Sequence, residues 1–327
     1  MKVFPLIGTF LLATAILAGC TSPQPRRPHI LGISHAAFFA SDYDNTCKLY
    51  SDFFGYARIH TSREKDGSEI EAVFQINDRQ HVAIVHYDRM FYPRMSHFAL
   101  ETDDVEAMLR YLKAQYKMYV QDTIFEDGMG NRSIFVTDPN GVRCEFVQYN
   151  RWKILRRKAG KYLPDSRIST CLRHVGIQCP DLDKAMSFYG GILGFKEVWR
   201  GGADPAKVSW VHLQVPDGDQ TIELMLYDKE PTRKSMGSMN HICLEVEDIH
   251  AAKAILDTRP YPETCGEPSG PRTGIIKKLL INYYDPDGSR IELMSRETVD
   301  GIPAEPSKGI PMKYGKRVGE PSYLGAY

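Results

Sequence analysis

The sequence repeats itself, and that constrains the fold more than any other feature. The stretch Ser34 to Asp42 matches Arg173 to Asp181, with a His in each (His35, His174). Fifteen residues after each His stands a Tyr (Tyr50, Tyr189), and twenty after it a Gly (Gly55, Gly194). A second pair of matched segments runs from His97 and His241, and each half closes on Asp-Pro-x-Gly-x-x-x-Glu, at Asp138 to Glu145 and Asp285 to Glu292. Equivalent residues are offset by 139, 144 and 147 positions, so the register barely drifts along 327 residues. The chain is therefore two tandem halves, each built of two modules of roughly 60 to 70 residues.

Each module reads as strand, helix, then three strands. After His241, the residues Ile242, Leu244 and Val246 share one face of a strand, and His241, Cys243 and Glu245 the other. Asp248 to Asp257 has helical spacing, and Asp42, Asp181 and Asp248 are acids placed to open helices. Strands are predicted at Ile275 to Tyr284 and Arg290 to Met294, joined by a Pro-Asp-Gly turn. The fold class is α+β. The halves span residues 33–150 and 169–296, with a basic linker at 151–168 and a Pro/Gly-rich tail at 297–327 that wraps the body or stays mobile.

Composition removes whole classes of function. Lys+Arg and Asp+Glu both number 41, so no basic excess marks a nucleic-acid binder. With 43% hydrophobic and 11% aromatic residues the chain is globular, and the body has no apolar run long enough for a spanning helix.

The N-terminus is a separate matter. Residues 1–19 have the Lys, apolar core and small residues of a secretory signal peptide. Leu17 to Cys20 resembles the lipobox of bacterial lipoproteins, which implies a lipidated Cys20 at the head of a tether, residues 20–32. Thr21 follows the Cys, where an Asp would favour inner-membrane retention. The expected location is thus the outer membrane of an exported, membrane-anchored lipoprotein, facing the periplasm. The other Cys residues (Cys47, Cys144, Cys171, Cys179, Cys243, Cys265) read as buried thiols, and no CxxC offers a thiolate zinc site.

Chemistry concentrates on the repeated strands. In the second half His174, Glu223, His241 and Glu292 each stand opposite a row of aliphatics. A hydrogen-bonded structural role accounts for any one of them, whereas a divalent cation accounts for all four in one cavity. The first half repeats His35, His97 and Glu145, but Ala83 aligns with Glu223, leaving two His and one carboxylate. No Gly-x-Ser-x-Gly elbow or P-loop is present, and Arg272, Lys277 and Lys278 read as solvated charges that could instead hold an anionic substrate.

Four such modules, with His on first strands and Glu on last strands, resemble the vicinal oxygen chelate superfamily, whose members include glyoxalase I, extradiol dioxygenases, methylmalonyl-CoA epimerase and bleomycin-resistance proteins. The resemblance covers about residues 33 to 296. It implies tandem domains in which paired modules curl into an open barrel with a divalent metal on the concave face. His174, Glu223, His241 and Glu292 match the ligand set of glyoxalase I, which implies Glu292 as catalytic base and Glu223 as the paired carboxylate. The expected cofactor is one zinc, iron, nickel or manganese ion in the second domain, the tighter site; His35, His97 and Glu145 are either a second, weaker, oxygenase-like site or a decayed duplicate kept for packing. Asn77 to His81 also resembles the strand that carries the helper His of extradiol dioxygenases, although Phe135 replaces a Tyr and Glu126 a His of those enzymes. The expected function is a metal-dependent lyase or isomerase acting on a small oxygenated molecule. Glutathione adducts are cytosolic chemistry, so an exported protein would take another substrate. The alternatives are an Fe(II) extradiol-type dioxygenase and a ligand-binding protein of the bleomycin-resistance kind.

Overall fold

The computed structural model describes residues 25–89, 94–150 and 159–314. The expected signal peptide, Cys20 and much of the basic linker lie outside the described residues. Among these residues no helix is long and apolar enough to cross a membrane.

The first module comprises β1 (Ile30–Ala40), α1 (Tyr43–Lys48, continued by a π-helical turn at Leu49–Phe53), β2 (Ala57–Arg63), β3 (Glu69–Gln75) and β4 (His81–His86). The second comprises β5 (Met95–Thr102), α2 (Val105–Gln115), β6 (Phe125–Glu126), β7 (Arg132–Thr137) and β8 (Arg143–Gln148). The third repeats the first as β9 (Cys171–Cys179), α3 (Leu182–Met186, with a π-helical turn at Ser187–Ile192), β10 (Lys196–Gly201), β11 (Lys207–Val208), β12 (Trp210–Gln214) and β13 (Thr221–Leu226). After α4 (Arg233–Met239) come β14 (His241–Val246), α5 (Ile249–Leu256), β15 (Gly266–Thr273), β16 (Lys278–Tyr284) and β17 (Arg290–Thr298), and β18 (Ile310–Pro311) pairs with β11.

Local chemistry sets the element ends. Asp42, Asp104, Asp181 and Asp248 each accept a hydrogen bond from a backbone N–H in the first turn of their helices, satisfying donors the helix leaves unpaired. Gly55 and Gly194 end the two π-helical turns at φ of 78° and 80°, a conformation that a Cβ would strain. The predicted strand from Ile275 starts late, because Gly274 to Lys277 form a turn with Lys277 at φ 63°. The β15 strand went unseen: it holds two Pro, and only its place at the sheet edge tolerates them.

Each domain is one eight-stranded sheet, ordered β2-β3-β4-β1-β5-β8-β7-β6 and β10-β12-β13-β9-β14-β17-β16-β15. These are two curled half-barrels of identical topology. Their helix-side faces merge into one apolar core containing Phe38, Phe74, Phe98, Val175, Leu224, Leu244 and Leu293. Burying each such side chain contributes about 1.5–3 kcal/mol.

The domains grip each other reciprocally. The π-helical turn of the first carries Phe53 against Tyr261 and Tyr283 of the second, at ring separations of 4.9 and 5.1 Å. The turn of the second carries Phe188 against Tyr116 of the first at 4.5 Å. The Asp-Pro-x-Gly turns cross as well. Asp287 accepts from the Ser41 N–H at 2.6 Å and from buried Arg94 at 2.6 Å, while Asn140 donates to the Asp181 carbonyl at 3.3 Å. The tail lies back on the second domain, donating from Ser307, Ile310 and Met312 to carbonyls of Arg200, Ala206 and Val208.

Candidate functional site

Pairing across β1 and β5 brings His35 and His97 together, and β8 lies beside β5 in parallel register and supplies Glu145. The His35 and His97 Nε2 atoms are 3.1 Å apart, and Glu145 Oε2 lies 3.2 Å from the first and 3.0 Å from the second. The opposite ring nitrogens face hydroxyls, Nδ1 of His35 with Ser34 Oγ at 2.9 Å and Nδ1 of His97 with Ser96 Oγ at 3.1 Å. Tyr149 donates to the Arg79 carbonyl and takes the Ser34 hydroxyl proton, so Ser34 accepts from His35 Nδ1–H and leaves the His35 Nε2 lone pair directed at the shared point. Burial pushes the His97 pKa down, so its imidazole is neutral. Burial alone would raise the Glu145 carboxyl, but His35 and His97 outweigh it and keep it well below the usual range. An ionised carboxylate and a neutral imidazole on one point are the protonation states that bind a divalent ion.

His81 is brought to this site by the parallel β1–β4 pairing, which sets it beside His35. The two rings stack with centroids 4.3 Å apart. Burial, with His35 adding to it, drives the His81 pKa well below the imidazole value, and its Nδ1 has no hydrogen-bond partner. Ala83 lines the inner face with Val73 and Ala99, so the fourth ligand position of the other domain is apolar here.

In the second domain the His174 and His241 Nε2 atoms also lie 3.1 Å apart. Glu223 Oε2 is 3.1 Å from His241 and 3.6 Å from His174. Glu292 is looser, with Oε1 4.0 Å from His174 and Oε2 3.6 Å from the Arg290 guanidinium. The four side chains share one face but form two overlapping ligand sets, His174–Glu223–His241 and His174–Cys243–Glu292. The expected single closure of four ligands is thus incomplete, because the Glu292 carboxylate lies toward Arg290. His241 Nδ1–H donates to the Met239 carbonyl at 3.1 Å, which fixes that tautomer and frees Nε2. The His174 Nδ1 is buried without a partner, and burial drives its pKa well down. For Glu223 burial opposes ionisation, but His212 and His241 prevail and hold it ionised. Two imidazoles facing each other beside a carboxylate fit a divalent ion of the zinc, iron, nickel or manganese type.

Several residues were not foreseen. His212 holds Glu223 Oε1 at 3.2 Å from the neighbouring strand. The two are cross-strand partners on the β12–β13 hairpin, so their equal distance from the Asp217-Gly218 turn was a readable signal. Arg290 repeats Arg143, two residues before each closing Glu. Gly176 lies opposite His241, and a Cβ there would meet the ring at 1.9 Å. The first domain has Ala37 in that place, opposite His97. Accordingly the His241 side chain is fully buried and that of His97 is 12% exposed. Glu71, on β3 of the first domain, accepts from Ser62 Oγ at 2.9 Å, and burial raises its carboxyl pKa. Lys277 pairs with Asp300 and Arg272 sits on the edge strand, which leaves both on the surface. All six described Cys are free.

Comparison with known proteins agrees with this architecture. The chain is 24% identical over 277 residues to the lactoylglutathione lyase of Oryza sativa subsp. japonica, covering 80% of this chain and 88% of that one. It is 36% identical over 88 residues to the mitochondrial methylmalonyl-CoA epimerase of Homo sapiens, covering 25% of this chain and 49% of that one. In fold it is similar to an extradiol ring-cleaving dioxygenase from B. fuscum, with a TM-score of 0.62, 18% identity, and coverage of 89% of this chain and 78% of that one. A family model matches twice, at residues 32–146 and 172–293. With both halves matched, the chain belongs to the Glyoxalase/Bleomycin resistance protein/Dioxygenase superfamily.

Proposed function

We propose that the protein is a metal-dependent lyase or isomerase of the glyoxalase type, acting in its second domain on a small molecule with two neighbouring oxygens. The observation that carries this reading is the contrast between two carboxylates in one cavity. Glu223 is pinned by His212 and His241, at 3.2 and 3.1 Å, whereas Glu292 makes no contact shorter than 4.0 Å with an imidazole of the pair. A pinned carboxylate suits a ligand, and a loose one beside it suits a general base. The likeness to a lactoylglutathione lyase, over 80% of this chain, points the same way. A divalent ion held by His174, Glu223 and His241 would supply Lewis acidity, acidifying the C–H beside a chelated carbonyl. Glu292 would then take the carbon-bound proton on a carboxylate oxygen and return it to the adjacent carbon. The buried His174 imidazole, whose pKa burial drives well down, would not compete for that proton.

The test is exchange of the carbon-bound proton of small α-hydroxycarbonyl compounds into D₂O, followed by NMR without oxygen. Exchange that requires added metal and is lost in Glu292→Gln supports the reading. No exchange with any of zinc, nickel, manganese or iron overturns it.

One observation favours a second reading. His35, His97 and Glu145 close at 3.0–3.2 Å into two His and one carboxylate, the facial arrangement of non-haem Fe(II) oxygenases. Three protein ligands leave about three of six positions open, enough for a catecholic substrate and O₂. Oxygen uptake with catechols, abolished by His97→Ala, is its signature. Anchoring through a lipidated Cys20 on an exported face remains part of the proposal, checked by mass spectrometry of the mature N-terminus.

A further inference from the structure

The two constellations differ in the company kept by one arginine. Arg143 precedes Glu145 on β8 exactly as far as Arg290 precedes Glu292 on β17. Phe135 is the cross-strand partner of Glu145, and the Arg143 guanidinium carbon lies 4.2 Å from the centre of its ring. The cross-strand partner of Glu292 is Asn282, which offers no ring face to a guanidinium. Arg290 lies on the site itself: Nη2 is 2.7 Å from His241 Nε2 and 2.8 Å from Nδ1, and Nη1 is 3.6 Å from Glu292 Oε2. Its side chain is 13% exposed, and its Nε is buried with no hydrogen-bond partner. A fixed positive charge therefore stands within hydrogen-bond reach of the nitrogen that would bind an ion, and beside one of its carboxylates.

We propose that Arg290 is an internal competitor for the divalent ion of the second domain, which makes that centre the weaker of the two. The inference rests on reading both clusters as ion sites. His241 Nδ1 already faces the Met239 carbonyl, so Nε2 holds the only lone pair that the ring can offer. An ion bound at about 2.0–2.1 Å would claim that pair and repel a guanidinium a few ångströms away. Loading must displace Arg290, and its buried Nε then lacks a partner in either state unless a bound molecule provides one. In the first domain the Phe135 face gives the equivalent arginine a cation–π seat, and its charge acts on His97 from there while His35, His97 and Glu145 close into one ligand set. Ligand number therefore predicts the wrong order of affinity here. The centre with fewer ligands fills first.

The experiment is titration of the full chain, stripped by chelator, with Co(II), followed by visible absorption and calorimetry. Two steps are expected, the tight one lost in His97→Ala and the weak one lost in His241→Ala. Arg290→Met and Arg290→Gln should each tighten the second step by about tenfold or more and leave the first alone, whereas Arg290→Lys, which keeps the charge, should stay weak. Uptake whose second step ignores or weakens in both neutral variants overturns this inference alone, as does loss of the tight step in His241→Ala. No cobalt uptake by the unsubstituted chain overturns the metal reading and this inference with it.

Discussion

The two domains have the same strand order, and equivalent first strands carry His35 and His174. They nevertheless offer different chemistry, and the difference lies in a few positions at matched register. Val73 and Ala83 pair across one hairpin where His212 and Glu223 pair across the other. Ala37 stands opposite His97 where Gly176 stands opposite His241. Phe135 stands opposite Glu145 where Asn282 stands opposite Glu292. The first set yields a compact three-residue centre, and the second a wider one with a loose carboxylate and a guanidinium. The lesson is that the half-barrel fixes where side chains meet, and side-chain identity at three cross-strand pairs decides what they do when they meet.

The sharpest break of this comparison is catalytic. If proton transfer belongs to the second domain, Glu292→Gln should lower oxygen-independent turnover by about 10²–10⁴-fold, with His97→Ala costing far less. Reversal of that order in steady-state assays would move the working centre to the first domain.

The crossed turns come next. Asp287→Ala leaves the buried Arg94 guanidinium without its carboxylate and should cost about 3–5 kcal/mol in denaturant unfolding. Asn140→Ala, at the equivalent turn, removes only neutral hydrogen bonds and should cost about 1 kcal/mol. Equal losses would mean that the two turns are energetically alike.

Gly176→Ala should displace the His241 ring, cost about 1–3 kcal/mol by overpacking, and abolish cobalt uptake at the second centre. The reciprocal Ala37→Gly should cost only about 1 kcal/mol, with uptake at the first centre kept. Unfolding and metal titration of the pair settle it.

The two turns can also be told apart by pH dependence. Burial raises the Asp285 carboxyl to about 7 and that of Asp138, which also receives the Tyr189 hydroxyl, to about 6. Both folded values exceed the unfolded one, so the folded chain binds more protons and stability falls as pH rises from about 4. The loss is about 1.4 kcal/mol per pH unit for each group, ending near pH 6 for Asp138 and near pH 7 for Asp285. Asp285→Asn should halve the slope below about pH 6 and abolish the shallower part between about pH 6 and 7, and a slope unchanged by it would show that another group titrates there.

Much of this arrangement was legible. The repeat aligned His81 with Thr221 and Ala83 with Glu223, and the β1–β4 and β9–β13 registers place His81 beside His35 and Thr221 beside His174. The helix-opening acids were readable because an N-cap is a local hydrogen bond. His212 lies outside the repeated motifs and Arg290 fills a variable position of the closing one, and each acts on a residue of another strand, so neither stood out. The β15 strand was invisible because Gly and Pro carry no strand signal and edge position alone permits them.

What the sequence determined by itself was the periodic part: four modules, their pairing into halves, and the positions where His and Glu recur. Periodicity survives in one dimension because each module must bury the same faces of the same elements. What only the tertiary structure decided was closure. Whether Glu292 reaches an imidazole or an arginine, and whether the His241 ring can lie over β9, depend on distances of a few tenths of an ångström. Those distances are set by residues far apart in the chain, Gly176 under His241 and Asn282 opposite Glu292. Packing at interior density leaves no slack for such contacts to be inferred from spacing, so the ligands could be named from the sequence but their grip could not.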